Sequence, residues 1–286
     1  MVHRVRVRAL TVLAPLLALV SLAPSAQASL VTAVQQAGAV VTPTKAGTVA
    51  DPRAVSLTML ASFDAAQVKE QIDSGNQFAM VTGEILFPHE GTTNAKLFPG
   101  CSPGQVLTNE TGCPSGSQIG SGTAIGIGLN LVEHVTIKLF NRPNGAGVTA
   151  LVVSVPSAPV ELRDIVISNL TKLPASDPFG WRVDFTIPTS LLSPVAGVLA
   201  AVQQIRLVIP RSYLKRDGRF VYRTIKARRG GRTVRKRVRI PYIATTGCST
   251  GNWHGRFTAG YTTALPVDPT NIDSRQTVDV RVPCRK

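Results

Sequence analysis

A cluster of basic residues between positions 211 and 239 is the part of this sequence whose residue types most clearly suggest chemistry. The segment holds thirteen Lys and Arg and a single acid, Asp217. The chain carries a formal charge of +15, of which three arginines near the N-terminus supply +3; the remaining excess of +12 equals the net charge of this one segment. Because guanidinium groups bind phosphate and carboxylate in a bidentate manner, the segment is a candidate site for anion recognition.

The basic segment has the pattern of a β-hairpin. Two predicted strands, 220–227 and 233–243, flank Gly230 and Gly231, which suit a turn that needs positive φ. On the second strand, apolar residues alternate with arginines, so one face is predicted to be apolar, interrupted by Lys236, and the other a row of guanidinium groups. The predicted anion site consists of Arg228, Arg229, Arg232, Arg235, Lys236, Arg237 and Arg239.

The expected partner of this row is an anionic cell-wall polymer or an acidic polysaccharide. A specific nucleic-acid partner is not expected, because the sequence matches no nucleic-acid-binding module. An alternative is purely structural, since a row of charges prevents an edge strand from pairing with a neighbouring molecule. The sequence does not decide between these roles.

Candidate catalytic groups are scattered, and no catalytic residue, metal site or cofactor is predicted. The three histidines beyond the N-terminal segment, His89, His134 and His254, are not spaced to share a metal on one strand or helix face. Ser212 and Lys215 form an isolated Ser-x-x-Lys without the companion motifs of penicillin-interacting enzymes. A secreted hydrolase acting on polysaccharide or cell wall remains an alternative function, because it needs only a pair of carboxylates across a cleft. The available acids are Glu84, Glu90, Glu133, Glu161, Asp164 and Asp184.

Four cysteines, Cys101, Cys113, Cys248 and Cys284, favour disulfides over a metal site. Three pairings are possible, and proximity along the chain favours Cys101–Cys113 and Cys248–Cys284, since each pair brackets a loop-rich stretch. A four-thiolate zinc site is the weaker alternative, because the spacings contain no Cys-x-x-Cys.

The N-terminus has the composition of a secretory signal. Three arginines precede an apolar run of about fourteen residues, which is shorter than the ~20 that a spanning helix needs, and Ala26-Gln27-Ala28 provides a small-residue cleavage site. The expected protein is therefore cleaved after Ala28, carries no transmembrane anchor, and is secreted or associated with the cell envelope.

The rest of the chain, 29–286, has the pattern of an all-β protein. Val, Ile, Leu and Thr are plentiful, and Gly and Pro interrupt the sequence about every ten residues, which is typical of short strands joined by turns. We predict an antiparallel β-sandwich, with an Ig-like arrangement as its specific form and at most one or two short helices, at 64–73 and, less clearly distinguished from a loop, at 191–204. Two packed sub-sandwiches with a boundary near 141–160 are an alternative to a single domain. The predicted strands are 54–63, 77–86, 120–131, 134–141, 149–155, 160–170, 181–187, 205–209, 220–227, 233–243, 253–261 and 276–282.

The stretch Cys113-Pro-Ser-Gly-Ser-Gln-Ile-Gly-Ser-Gly-Thr-Ala124 resembles the Cys-Pro-x-Gly-Ser-x-Ile/Val-Gly-x-Gly-Thr-Ala signature of a group of uncharacterised exported proteins from high-GC Gram-positive bacteria. The segments 43–48, 98–101, 242–248 and 283–284 are similar to other elements of that group. The resemblance implies an exported β-rich domain with the favoured cysteine pairings, and it implies no activity. In physical terms the signature reads as a turn leading into a strand, with Gly120 and Gly122 marking a bulge or the close approach of another strand.

Overall fold

The computed structural model describes residues 31–129, 131–229 and 232–286, and for 227–229 and 232 it describes the backbone alone. The predicted signal peptide, 1–28, and the predicted turn residues Gly230 and Gly231 lie outside the described residues. The strands are β1 (Gln35–Thr42), β2 (Arg53–Ala54), β3 (Ser56–Phe63), β4 (Ala79–Phe87), β5 (Gly91–Thr93), β6 (Gln118–Gly128), β7 (Leu131–Asn141), β8 (Gly147–Ser154), β9 (Arg163–Lys172), β10 (Trp181–Thr186), β11 (Ala201–Ile209), β12 (Lys215–Arg216), β13 (Arg219–Phe220), β14 (Tyr222–Arg229), β15 (Arg232–Arg239), β16 (Ile243–Thr245), β17 (Asn252–Thr262) and β18 (Ser274–Pro283). The α-helices are α1 (Ala65–Asp73), α2 (Pro103–Asn109) and α3 (Thr189–Leu192), and single 3-10 turns lie at Ala95–Leu97, Glu110–Gly112 and Pro143–Gly145.

One antiparallel sheet of eleven strands forms the body of the protein, in the order β1-β3-β11-β6-β7-β8-β9-β10-β4-β17-β18. The sheet curls so that its first and last strands lie side by side. The Gln276 side chain joins them, since its Oε1 accepts from the backbone N–H of Gln35 and its Nε2 donates to the Ala33 carbonyl, both at 2.8 Å. A small sheet, β2-β16-β5, lies over one end of the curled sheet.

The predicted all-β, antiparallel class is confirmed, and a sandwich fits because the one sheet curls until its parts face each other. The Ig-like form is not confirmed, since it would need two separate sheets. The described residues hold three short α-helices, one more than expected. The helix predicted at 191–204 is wrong: α3 ends at Leu192, and β11 begins at Ala201 and pairs with β3 and β6. The segment 141–160, where a domain boundary was one alternative, contains β8, which is hydrogen-bonded to β7 and β9 within the sheet.

Helix α1 closes one end of the curled sheet. Asp64 caps it, because its Oδ1 accepts from the backbone N–H groups of Ala66 and Gln67. Its buried face, Val68 and Ile72, belongs to a core cluster that also contains the edge-to-face aromatic rings of Phe63, Phe78 and Tyr261. Within the described part of the chain, no helix is both long enough and apolar enough to cross a membrane.

Asn141, at the end of β7, is a fully buried polar residue that joins three segments of the chain. Its Nδ2 donates to the carbonyls of Ala95, Phe98 and Pro99 at 3.1 to 3.3 Å, and its Oδ1 accepts from the Tyr242 hydroxyl at 3.1 Å. Since burial disfavours the charged phenolate, the pKa of Tyr242 is raised, which keeps its hydroxyl as a donor.

Two disulfides hold loop-rich regions to the sheet. Cys101 is bonded to Cys113 and Cys248 to Cys284, with Cα–Cα distances of 5.4 and 5.9 Å, and these are the pairings that proximity along the chain favours. The first pair brackets α2. The second fastens the loop between β16 and β17 to the end of β18, where Cys248 packs with Trp253 and Val282.

The inner face of the curled sheet lines a cavity of about 260 Å³ that is partly open to solvent. Alternate residues of its strands point inward, so that Leu207, for example, lies beside Met59, its register partner on β3.

Glu110 connects the first disulfide region to the sheet. Its carboxylate accepts from Arg163 Nη2 at 2.6 Å on β9 and from Lys138 Nζ at 3.1 Å on β7. The side-chain hydrogen bond from Arg163, followed by a backbone hydrogen bond and that from Lys138, lowers the pKa of Glu110 from 4.5 to about 2.

Replacing Glu110 with Gln is expected to lower stability modestly at neutral pH and less in acid. The folded-state pKa lies below the unfolded value, so the contribution of Glu110 is fully present above about pH 4.5 and is lost as the pH falls toward 2. Because the Arg163 and Lys138 side chains are about two-fifths exposed, we expect a loss of no more than ~1 kcal/mol at pH 7. Urea unfolding of wild type and E110Q at pH 7, 4 and 3 measures the difference; a difference that stays constant over this range contradicts the assignment.

Candidate functional site: a cationic hairpin

The basic segment folds as a two-stranded hairpin that forms no strand pairing with the main sheet within the described residues. Within the described residues, β14 and β15 pair only with each other, from Tyr222↔Arg239 to Arg229↔Arg232. A second small hairpin, β12–β13, precedes it and turns at Asp217 and Gly218, both with positive φ. The row of arginines therefore does not form an edge of the eleven-stranded sheet, whose outermost strands are β1 and β18.

The base of the hairpin is fixed by backbone bonds and by the core. Val221 donates to the Leu214 carbonyl, Leu214 donates to the Ile240 carbonyl, and Ile240 donates to the Val221 carbonyl, at 2.8 to 3.3 Å. The side chains of Leu214, Ile240 and Tyr242 are buried in the core cluster that contains Ile137 of the main sheet. An isolated two-stranded hairpin is marginally stable in water, so this anchoring is what positions its side chains.

The register divides the hairpin into two faces. Directly opposed residues share a face, which places Lys226 with Arg235, Thr224 with Arg237, and Tyr222 with Arg239 on one side. We call the exposed cations of this face, Lys226, Arg235, Arg237 and Arg239, the cationic row. The other face carries Ile225, Val234 and Val238.

Aromatic rings orient two of the guanidinium groups in the cationic row. The Arg239 Cζ lies 4.0 Å from the ring centroid of Phe220, and the Arg237 Cζ lies 4.8 Å from that of Tyr222. A guanidinium stacked on a ring keeps its N–H edge free, and stacking reduces the conformational entropy that binding an anion would otherwise cost.

The cationic row has no acidic partner among the residues that the structure describes. Arg235, Arg237, Arg239 and Lys226 form no ion pair there, whereas Lys236, on the opposite face, contacts Asp51 Oδ2 at 3.1 Å. Lys236 was included in the predicted anion site, but its position places it apart from the row. The side chains of three further predicted residues, Arg228, Arg229 and Arg232, lie outside what the structure describes.

One cation of this site and one of its contacts were missed from the sequence. Lys226 was not included, although its alternation with Arg228 was a usable signal. The stacking of Arg237 on Tyr222 had no such signal, because it depends on the strand register.

A second candidate region is a groove on the outer surface of the sheet, with a volume of about 550 Å³. Glu84 and Asp184 lie directly opposite each other there, on β4 and β10, so their Cβ atoms are about 5 Å apart. Asp184 accepts a hydrogen bond from Asn169 Nδ2 at 3.2 Å and contacts Arg182 Nε at 3.4 Å. Of the acids named above, these two line the groove together, which makes them the candidate pair for the hydrolase alternative.

No family model, curated protein or solved structure matches the chain.

Proposed function

We propose that the protein is an exported, non-catalytic module of the cell envelope or extracellular space that binds an anionic polymer through the cationic row. The single observation that carries the proposal is the cationic row itself. Its four exposed cations lie on one face of a hairpin outside the main sheet, and none has an acidic partner among the described residues. The leader-like N-terminus, the resemblance to exported proteins and two disulfides, which persist in oxidising compartments, support export.

The spacing of the row suits a polymer better than a single small anion. Arg235, Arg237 and Arg239 are two residues apart on one strand, so their Cα atoms follow one another at intervals of about 7 Å. A chain with repeated phosphate or carboxylate groups can contact several of them at once. A phosphate-bearing wall polymer or an acidic polysaccharide has this repeat.

The test is retention of the protein on purified bacterial cell wall. At low salt, R235S/R237S/R239S is expected to bind roughly 100-fold more weakly than wild type, on the basis of ~1 kcal/mol for each cation near an anionic surface. Wild-type binding should weaken steeply as NaCl rises toward 0.5 M, because exposed charges are screened beyond about 8 Å at physiological ionic strength.

A matched control variant removes the same charge elsewhere. R206S/R281S/R285S also deletes three exposed arginines, all outside the hairpin, and it should retain wild-type binding to within about threefold if the row is the site. Wall from which phosphate polymers have been removed chemically distinguishes phosphate from carboxylate as the bound group. Equal retention of wild type and R235S/R237S/R239S at low salt would end the proposal and leave the hairpin with a structural role.

The same assay also addresses the alternative function. The facing carboxylates Glu84 and Asp184 are the specific observation in favour of a hydrolase. Release of soluble sugar from the wall by wild type but not by E84Q or D184N would replace the binding proposal with hydrolysis.

A further inference from the structure

The cavity inside the curled sheet has the properties of a binding site and is separate from the cationic row. Its walls are inward-facing apolar side chains from opposite parts of the sheet, including Met59, Leu207, Ile85, Val183 and Val280. These residues are only half-buried, although they face away from the outer surface. Their remaining exposure is therefore to the cavity, which shows that neighbouring side chains do not fill it.

Small residues keep one wall of the cavity open. Strand β1 contributes Ala37 and Ala39, and β3 contributes Ala61, which lies opposite Ala37. Larger side chains at these inward positions would fill part of the volume. The larger Val40 lies instead on the outer face of β1, where it is 55% exposed.

Three of the polar side chains beside the cavity donate to other groups of the protein, whereas the Thr245 hydroxyl, also in the lining, has no partner among the described residues. The indole Nε1 of Trp181 donates to the Gly91 carbonyl, that of Trp253 donates to the Gly247 carbonyl, and the Tyr242 hydroxyl donates to Asn141. Arg256 also lies in the lining, and its guanidinium is paired with Asp279 at 2.7 Å. Apart from the Thr245 hydroxyl the lining is almost entirely apolar, so the interior suits an apolar group.

The dimensions limit the size of that group. Inward positions on β3 extend from Leu57 to Ala61, a length of about 13 Å at 3.3 Å per residue. A dry apolar cavity of ~150 Å³ accommodates the six carbons of benzene, so 260 Å³ corresponds to about ten carbons. We infer that the cavity binds an aliphatic chain of about ten carbon atoms, such as that of a fatty alcohol, a fatty acid or a lipid.

The chain contains its own reporter for this inference. Its only two tryptophans, Trp181 and Trp253, both line the cavity. A bromine atom brought into the cavity should quench their fluorescence by contact. Titration of the purified protein with 10-bromo-1-decanol is expected to give saturable quenching at one molecule per chain, reversed by unbrominated 1-decanol.

Two matched variants test whether the binding occurs inside. A39F places an aromatic ring in the cavity, and V40F places the same ring on the outer face of β1. Binding of 10-bromo-1-decanol should weaken at least tenfold in A39F and change less than twofold in V40F. If A39F does not fold, M59A provides the test of binding inside the cavity. This substitution shortens a lining side chain and enlarges the cavity, so the tightest-binding alcohol should shift from about ten carbons to a longer chain.

Competition with 1-decanol, decanoate and a decanoyl lysophospholipid identifies the source of the chain. Competition by any of them supports the inference, since the lining recognises the chain. Absence of saturable quenching up to the solubility limit of the bromoalcohol, or equal quenching in folded A39F and V40F, would overturn it.

Discussion

Replacing Asn141 with Ala is expected to lower the free energy of unfolding by about 3–5 kcal/mol. The substitution removes one donor group that serves the carbonyls of Ala95, Phe98 and Pro99, and one acceptor that serves Tyr242. Asn141 is fully buried, so water cannot simply replace these bonds. Each polar group left buried without a partner costs ~1–3 kcal/mol, part of which relaxation of the 95–99 segment recovers.

Chemical unfolding at equilibrium measures the effect, and two variants provide its controls. Y242F removes only the hydroxyl that donates to Asn141 and should cost about 1–2 kcal/mol. N76A removes the amide of a half-buried residue whose Nδ2 donates to Ser74 Oγ at the surface, and it should change stability by less than ~0.5 kcal/mol. A loss below 1 kcal/mol in N141A would mean that the buried network does not hold this end of the sheet.

Replacing both Cys248 and Cys284 with Ser is expected to be similarly severe. In the chain-entropy model, a cross-link spanning 36 residues stabilises the folded state by about 4 kcal/mol. For a domain of this size, such a loss lowers Tm by roughly 8–16 °C. The disulfide also fastens the end of β18 beside Trp253, so its removal should loosen the edge at which β18 meets β1.

The Cys101–Cys113 disulfide provides a comparison for the stability lost in C248S/C284S. C101S/C113S opens a connection of only 12 residues and should cost about 3 kcal/mol in the same model. Thermal unfolding of the two double variants, and of wild type with and without reductant, measures both contributions. A larger loss for C101S/C113S than for C248S/C284S would contradict the ranking by loop length and indicate that local packing determines the contribution.

Gly120 and Gly122, in the 113–124 segment, have two structural roles that the sequence offered as alternatives. Gly120 and Gly122 were expected to mark either a bulge or the close approach of another strand. The register between β6 and β7 shifts between Gln118 and Gly120, which is the bulge. A Cβ atom at either glycine would also collide with a backbone carbonyl of β11, that of Val208 or Arg206. Gly120 therefore combines the bulge with the close approach, whereas Gly122 shows only the close approach.

Errors in the predicted elements have physical causes. Strand β1 was missed because its sequence is rich in small residues and lacks a clear alternation of apolar and polar types; its pairing with β3 makes it a strand. Helix α2 was missed because it is only seven residues long, although Ser102 followed by Pro103 is a recognisable N-terminal signal. At 191–204, an apolar run suggested a helix, but hydrogen bonding to β3 and β6 made its end a strand.

The sequence by itself determined the β class, most strand positions, the cysteine pairs favoured by proximity, and the alternation of arginines along β15. These properties depend on residues that are close together in the chain, where side-chain period, turn residues and loop length act directly. Only the tertiary structure decided that the sheet curls around a cavity, that Asn141 joins distant segments, that Glu84 faces Asp184, and that the cationic row stands apart from the sheet edge. Those features depend on which strands become neighbours, and strand order is set by packing between residues far apart in sequence, which local patterns do not encode.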